Sequence, residues 1–137
     1  MTQDDVNALP LLDPAALDRL RDELDEDEGV WRVFVRNFIA QLPARSEKLR
    51  LALTTGDLPG TLDAVLSLKT SSQMVGAERL AEYAMVLERS VRIDTREAAP
   101  DYVLPRLAAA HLKTITKCSR QTSDLLQRYL DSKPGRA

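Results

Sequence analysis

Apolar residues recur along most of this chain at steps of three, four and seven, the spacing that gathers them on one side of an α-helix. Asp13-Pro14 predicts the first start. Aspartate caps free backbone N–H groups, and proline suits the first helical position. Leu17, Leu20 and Leu24 then share one side of a short helix. The acidic run Asp25-Glu26-Asp27-Glu28 reads as a solvated turn whose charge favours the next helix N-terminus, the other reading being an acidic patch for a partner. A long helix is predicted over 28–55, with Trp31, Val35, Phe38, Leu42, Leu49 and Leu53 in register and Pro43 expected to bend it. Gly56 ends that helix, and Asp57 caps a third that runs to about Val75. Gly76 marks the next break, and Leu80, Ala84, Leu87 and Val91 define a fourth helix to about Arg92. Residues 93–101 read as a loop, and a last helix runs from Asp101 or Leu104 to about Leu130. No strand-like alternation occurs. The expected fold is all-α: an antiparallel up-down four-helix bundle over 13–131 with a short extra N-terminal helix, flanked by a flexible leader, 1–12, and a flexible tail, 132–137.

Composition narrows the chemistry. A chain of 137 residues suits one core, and with aromatics at 4% that core must be built from Leu, Val, Ile and Ala. The net charge is -2 with acids and bases interspersed, which gives no nucleic-acid footprint. No apolar run approaches the ~20 residues that span a bilayer, and the polar, acidic start, Met1 to Ala8, excludes a secretory signal. Cys118 is the single cysteine, so no internal disulfide forms, which fits a reducing compartment; the cytoplasm is the expected location. Glycine-rich phosphate loops are absent, no histidine base accompanies the serines, and one histidine with one cysteine makes no metal set. No enzymatic activity, cofactor or metal is expected.

Several short motifs fall in a familiar order. Phe34-Val35-Arg36-Asn37-Phe38 and Leu42-Pro43 precede Leu51-Ala52-Leu53-Thr54-Thr55-Gly56-Asp57. Val65-Leu66-Ser67-Leu68-Lys69-Thr70-Ser71-Ser72 follows, then Val75-Gly76-Ala77-Glu78-Arg79-Leu80 and Leu87-Glu88. This series resembles the histidine phosphotransfer (HPt) domains, whose second bundle helix carries Ala-His-x-Leu-Lys-Gly-Ser. The resemblance implies a four-helix bundle, a role in two-component or phosphorelay signalling, and docking to a response-regulator receiver domain or a histidine kinase. It also places the family's phosphoacceptor histidine on Leu66 and the glycine four residues later on Thr70, while the supporting basic residue is kept as Lys69. Leucine has no nitrogen to attack an aspartyl phosphate, so the resemblance implies an adaptor that binds without carrying phosphate.

Helical geometry places these residues independently. At ~100° per residue, Leu58, Thr61, Val65, Leu68, Ser72 and Val75 share the core face of the third helix. Leu66, Lys69, Thr70 and Gln73 fall on another face, with Leu62 at its edge. An exposed leucine alone needs no explanation; its coincidence with the family's docking position marks Leu62, Leu66, Lys69, Thr70 and Gln73 as the candidate partner-binding face. The only histidine, His111, sits in Ala110-His111-Leu112-Lys113, but lysine follows two residues later instead of three and no Gly-Ser follows. It lies in the stripe Leu104, Leu107, Ala108, Ile115, Cys118, Leu125, Tyr129, so it is expected to be largely buried, and Cys118 is expected to be inert packing. Lys113, Lys117 and Arg120 read as a solvent-facing side of the last helix. Two alternatives compete with the adaptor reading: an active phosphotransfer protein using His111, and a helix-bundle interaction module unrelated to phosphorelay.

Overall fold

The computed structural model describes residues 3–24 and 28–132. Six helices follow one another: α1 Gln3–Asn7, α2 Pro14–Leu24, α3 Glu28–Thr54, α4 Leu58–Met74, α5 Glu78–Asp94 and α6 Pro100–Ser132. The last four form the bundle. Each packs on the next, and α3 closes the ring against α6, so α4 and α6 face each other across its diagonal.

The two bundle turns after α3 and α4 use the same device. Gly56 and Gly76 take positive φ, +73° and +71°, and the amides that follow them, Asp57 and Ala77, reach back to the carbonyls of Ala52 and Ser72 at 2.9 and 2.8 Å. The left-handed glycine lets the chain reverse while the freed carbonyls stay bonded. Asp57 then starts α4, its Oδ1 accepting from the Gly60 amide at 3.0 Å. The second turn also anchors α2. Asp13 donates its amide to the Gly76 carbonyl at 2.8 Å and caps α2 by accepting from the Ala15 amide at 3.0 Å.

The apolar stripes read from sequence are the core. Trp31, Val35, Phe38, Leu42, Leu49 and Leu53 of α3 are buried, as are Leu80, Ala84, Leu87 and Val91 of α5. On α4, Thr61, Val65, Leu68 and Ser72 are fully buried, as is Val75 just past its end, while Leu58 is only half-buried. Leu17 and Leu20 pin α2 to the bundle, and the Tyr129 hydroxyl of α6 donates to Asp18 of α2 at 3.0 Å. The Trp31 and Tyr129 rings meet in a tilted contact, centroids 5.6 Å apart, between α3 and α6, and the Arg32 guanidinium donates to the Leu130 carbonyl at 2.9 and 3.1 Å, satisfying an acceptor near the α6 C-terminus.

Four differences from the sequence reading have physical causes. Residues 1–12 were expected to be a loose leader, yet α1 lies within them and packs on α5. Val6 is fully buried, the Tyr83 hydroxyl donates to Asn7, and Arg79 Nε donates to the Leu9 carbonyl at 2.7 Å. These ties bridge some seventy residues of sequence, so no local pattern announces them. The loop expected over 93–101 shortens to 95–99, because α5 continues to Asp94 and α6 begins at Pro100, where proline fits the first turn. The buried stripe of α6 also drifts: after Cys118 it passes through Ser119, Thr122, Leu126 and Leu130, leaving Leu125 and Tyr129 half-buried. Stripes spaced at 3.5 and 3.6 residues per turn diverge over a helix this long. Finally, α6 extends through Ser132, the first residue of the expected tail; the rest of that tail, 133–137, and the acidic positions 25–27 lie outside the described residues.

Candidate functional site

Leu66 stands at the midpoint of α4 with half of its surface, 50%, open to solvent. Its neighbours in sequence explain why. Ala64, Val65 and Leu68 point into the bundle, and Leu66 is rotated away from all three. Thr70, one turn on, and Gln73, two turns on, are exposed on the same side; Leu62, one turn back, is half-buried at its margin. The outward face read from sequence is therefore contiguous along three turns, and it continues into Met74, 48% exposed at the end of the helix.

Lys69 occupies the α5 side of this face. Its side chain is mostly covered, and Nζ donates to Glu88 Oε1 of α5 at 2.9 Å. The other carboxylate oxygen of Glu88 accepts from Arg92 Nη2 at 3.2 Å, one turn further along α5. The hydrogen bond from Lys69 holds the Glu88 carboxyl below the usual carboxylate range, against the opposing effect of burial, and Arg92 adds to the lowering. These charged groups line the α5 margin beside an apolar centre, and the exposed Asp63, three residues before Leu66, borders it on the other side. Helical periodicity locates Lys69, but its partners belong to another helix; Glu88 stands in the Leu87-Glu88 motif, yet nothing local pairs it with α4. The hydroxyl of Ser71 is spent within its own helix, donating to the Ser67 carbonyl at 2.7 Å.

His111 is elsewhere. It lies on α6, across the diagonal from α4, and is half-buried rather than largely buried as the stripe implied. Burial lowers its pKa from the ordinary histidine value, and the Asp94 carboxylate at the end of α5 works against that shift. The ring is accordingly neutral near pH 7. Cys118 is buried, its thiol pushed up by burial, with Sγ 3.9 Å from Thr122 Oγ1. A thiol so placed is protonated and unreactive. Among the described residues no cluster of histidine, cysteine or carboxylate groups is arranged to hold a metal, and no helix is long and apolar enough to cross a membrane.

Comparisons with known proteins bear on this geometry. The model of the Hpt domain family matches residues 33–131. A crystal structure of histidine-containing phosphotransfer protein B (HptB) from Pseudomonas aeruginosa PAO1 is similar, with a TM-score of 0.74 over 93% of this chain and 100% of that one, at 23% sequence identity. At that identity the likeness shows the fold. Among curated proteins, no sequence matches.

Proposed function

The chain belongs to the Hpt domain family, and on that premise we propose that it is a non-catalytic adaptor in a two-component or phosphorelay pathway, one that docks a protein partner through the outward face of α4 and carries no phosphate. One observation carries the reading: an exposed leucine stands at the centre of that face, and the motif resemblance puts the family's histidine at this position. A leucine offers apolar area and no nucleophile. The surrounding Leu62, Thr70 and Gln73, with the Lys69–Glu88–Arg92 cluster at one margin, make an apolar centre with a polar rim, the composition of a protein-binding patch. Lys69 is held by Glu88 and so serves as part of that rim.

The partner is a response-regulator receiver domain, with a histidine kinase as the second choice. Such a protein would occupy a receiver without discharging it, competing with or scaffolding true phosphotransfer. The test is a titration of the isotope-labelled chain with the receiver domains of its own cell, read by amide chemical shifts. Shifts centred on Leu62, Leu66, Lys69, Thr70 and Gln73 are expected with at least one receiver. Binding that maps to another face, or no binding by any receiver or kinase, would overturn the proposal.

A further inference from the structure

A second feature lies on the opposite side of α5 from the Lys69–Glu88 pair. Where α1, α5 and α6 meet, a concavity of ≈ 340 Å³ is lined by Asn7, Arg79, Tyr83, Lys113, Thr114, Lys117, Cys118 and Gln121. Three of these side chains are cations and none is a carboxylate. In a chain with 21 acidic and 19 basic residues that separation is local. The larger groove, ≈ 640 Å³ between α3 and α6, has the mixed charge expected of such a chain, with Glu47, Arg50, Arg120 and Asp124 on its walls.

The cations are presented rather than consumed. Lys113 and Lys117 are exposed one helical turn apart on α6, and neither is in an ion pair among the described residues. Arg79 is fixed by its Nε bond to the Leu9 carbonyl at 2.7 Å, which turns its remaining guanidinium N–H groups into a preset fork. Tyr83 and Cys118 form a buried, weakly polar floor, and the Tyr83 hydroxyl is oriented by donation to Asn7. Asn7 of α1 lines one side of this α5–α6 groove.

We propose that this concavity binds a small phosphate monoester, with Arg79, Lys113 and Lys117 holding the phosphate and the Tyr83–Cys118 floor taking the organic part. One guanidinium and two ammonium groups on the walls of one concavity, with no carboxylate among them, suit a compact dianion, and a cleft lined by one sign of charge concentrates their field. The volume is at the lower end of ligand pockets, which run about 300–1,000 Å³, a size that admits a sugar phosphate and is too large for a bare ion to fill.

The full chain, isotope-labelled, is titrated with ribose 5-phosphate, inorganic phosphate, ribose and a tetraglutamate peptide. Ribose 5-phosphate should shift the amides of Arg79, Lys113, Lys117 and Gln121 and saturate with Kd in the range of about 0.1–1 mM. Inorganic phosphate should shift the same residues more weakly, and ribose should shift none. Lys113→Gln with Lys117→Gln should weaken ribose 5-phosphate at least about tenfold with melting temperature unchanged, because both side chains are exposed. The proposal is overturned by shifts spread over basic residues generally and unaltered in the double variant. It is equally overturned by the peptide binding where the phosphates do not, or by no shift from either phosphate up to about ten times the upper Kd.

Discussion

Replacing Leu66 by aspartate separates docking from folding more sharply than any other single change. Fully burying a leucine contributes about 1.5–3 kcal/mol. Leu66 is 50% exposed, so the part already covered by its own bundle is worth about 1 kcal/mol and a similar part remains for a partner to cover. Leu66→Asp should therefore lower folding stability by no more than about 1 kcal/mol, a fall in melting temperature of about 3–5 °C for a chain this long. Lost apolar contact alone should weaken the partner about fivefold, and a carboxylate trapped in the interface should take the loss beyond tenfold. Leu66→Ala gives the apolar part without the charge. Leu68→Asp is the internal control: two residues on and fully buried, it should prevent folding. Melting curves and a titration of the bound receiver read both quantities. A fall above about 10 °C for Leu66→Asp would mean that the side chain supports the core. Unchanged receiver affinity in a folded variant would mean that this face does not dock.

The other expectations concern the frame around that face. Glu88 has a depressed carboxyl pKa in the folded chain, so its contribution is present above the unfolded pKa and is lost as pH falls through the folded one; the stability gap between wild type and Glu88→Gln should close as pH falls below the ordinary carboxylate value of 4.5 in acid-titrated melting curves. His111 also has a depressed pKa, but as a base: below about pH 6.5 the unfolded chain takes up a proton that the folded chain resists, so stability falls with pH, and His111→Gln should flatten that part of the profile. Gly76→Ala should cost about 2 kcal/mol or more by chemical denaturation, because φ is +71° and a Cβ there would lie 2.8 Å from the Asp13 carbonyl oxygen and 2.9 Å from Ala16 Cβ.

What the sequence reveals of this protein is what local rules control. Glycine and aspartate at 56–57 and glycine at 76 announce the turns because only a left-handed residue and a side-chain cap meet the geometry there. The α4 register, and with it the exposure of Leu66, follows from the spacing of six core positions. Contacts between distant segments are the part that stays hidden. Five residues of α1 are too short to show a period, and Val6 gains its buried place from a helix far along the chain, α5, on which α1 packs. The salt bridge that ties down Lys69 needs Glu88, nineteen residues away on another helix. His111 sits in an apolar stripe yet is only half-buried, because a single stripe does not report how closely the neighbouring helix end, with Asp94, covers that turn.

Whether this chain takes up phosphate separates an adaptor from a carrier. Wild-type protein incubated with radiolabelled, phosphorylated receiver domains, then separated under conditions that preserve phosphohistidine, should carry no label while still binding at least one of the receivers. Acid-labile label on the wild type, absent from a folded His111→Gln variant, would contradict the adaptor role and make α6, not α4, the seat of its chemistry.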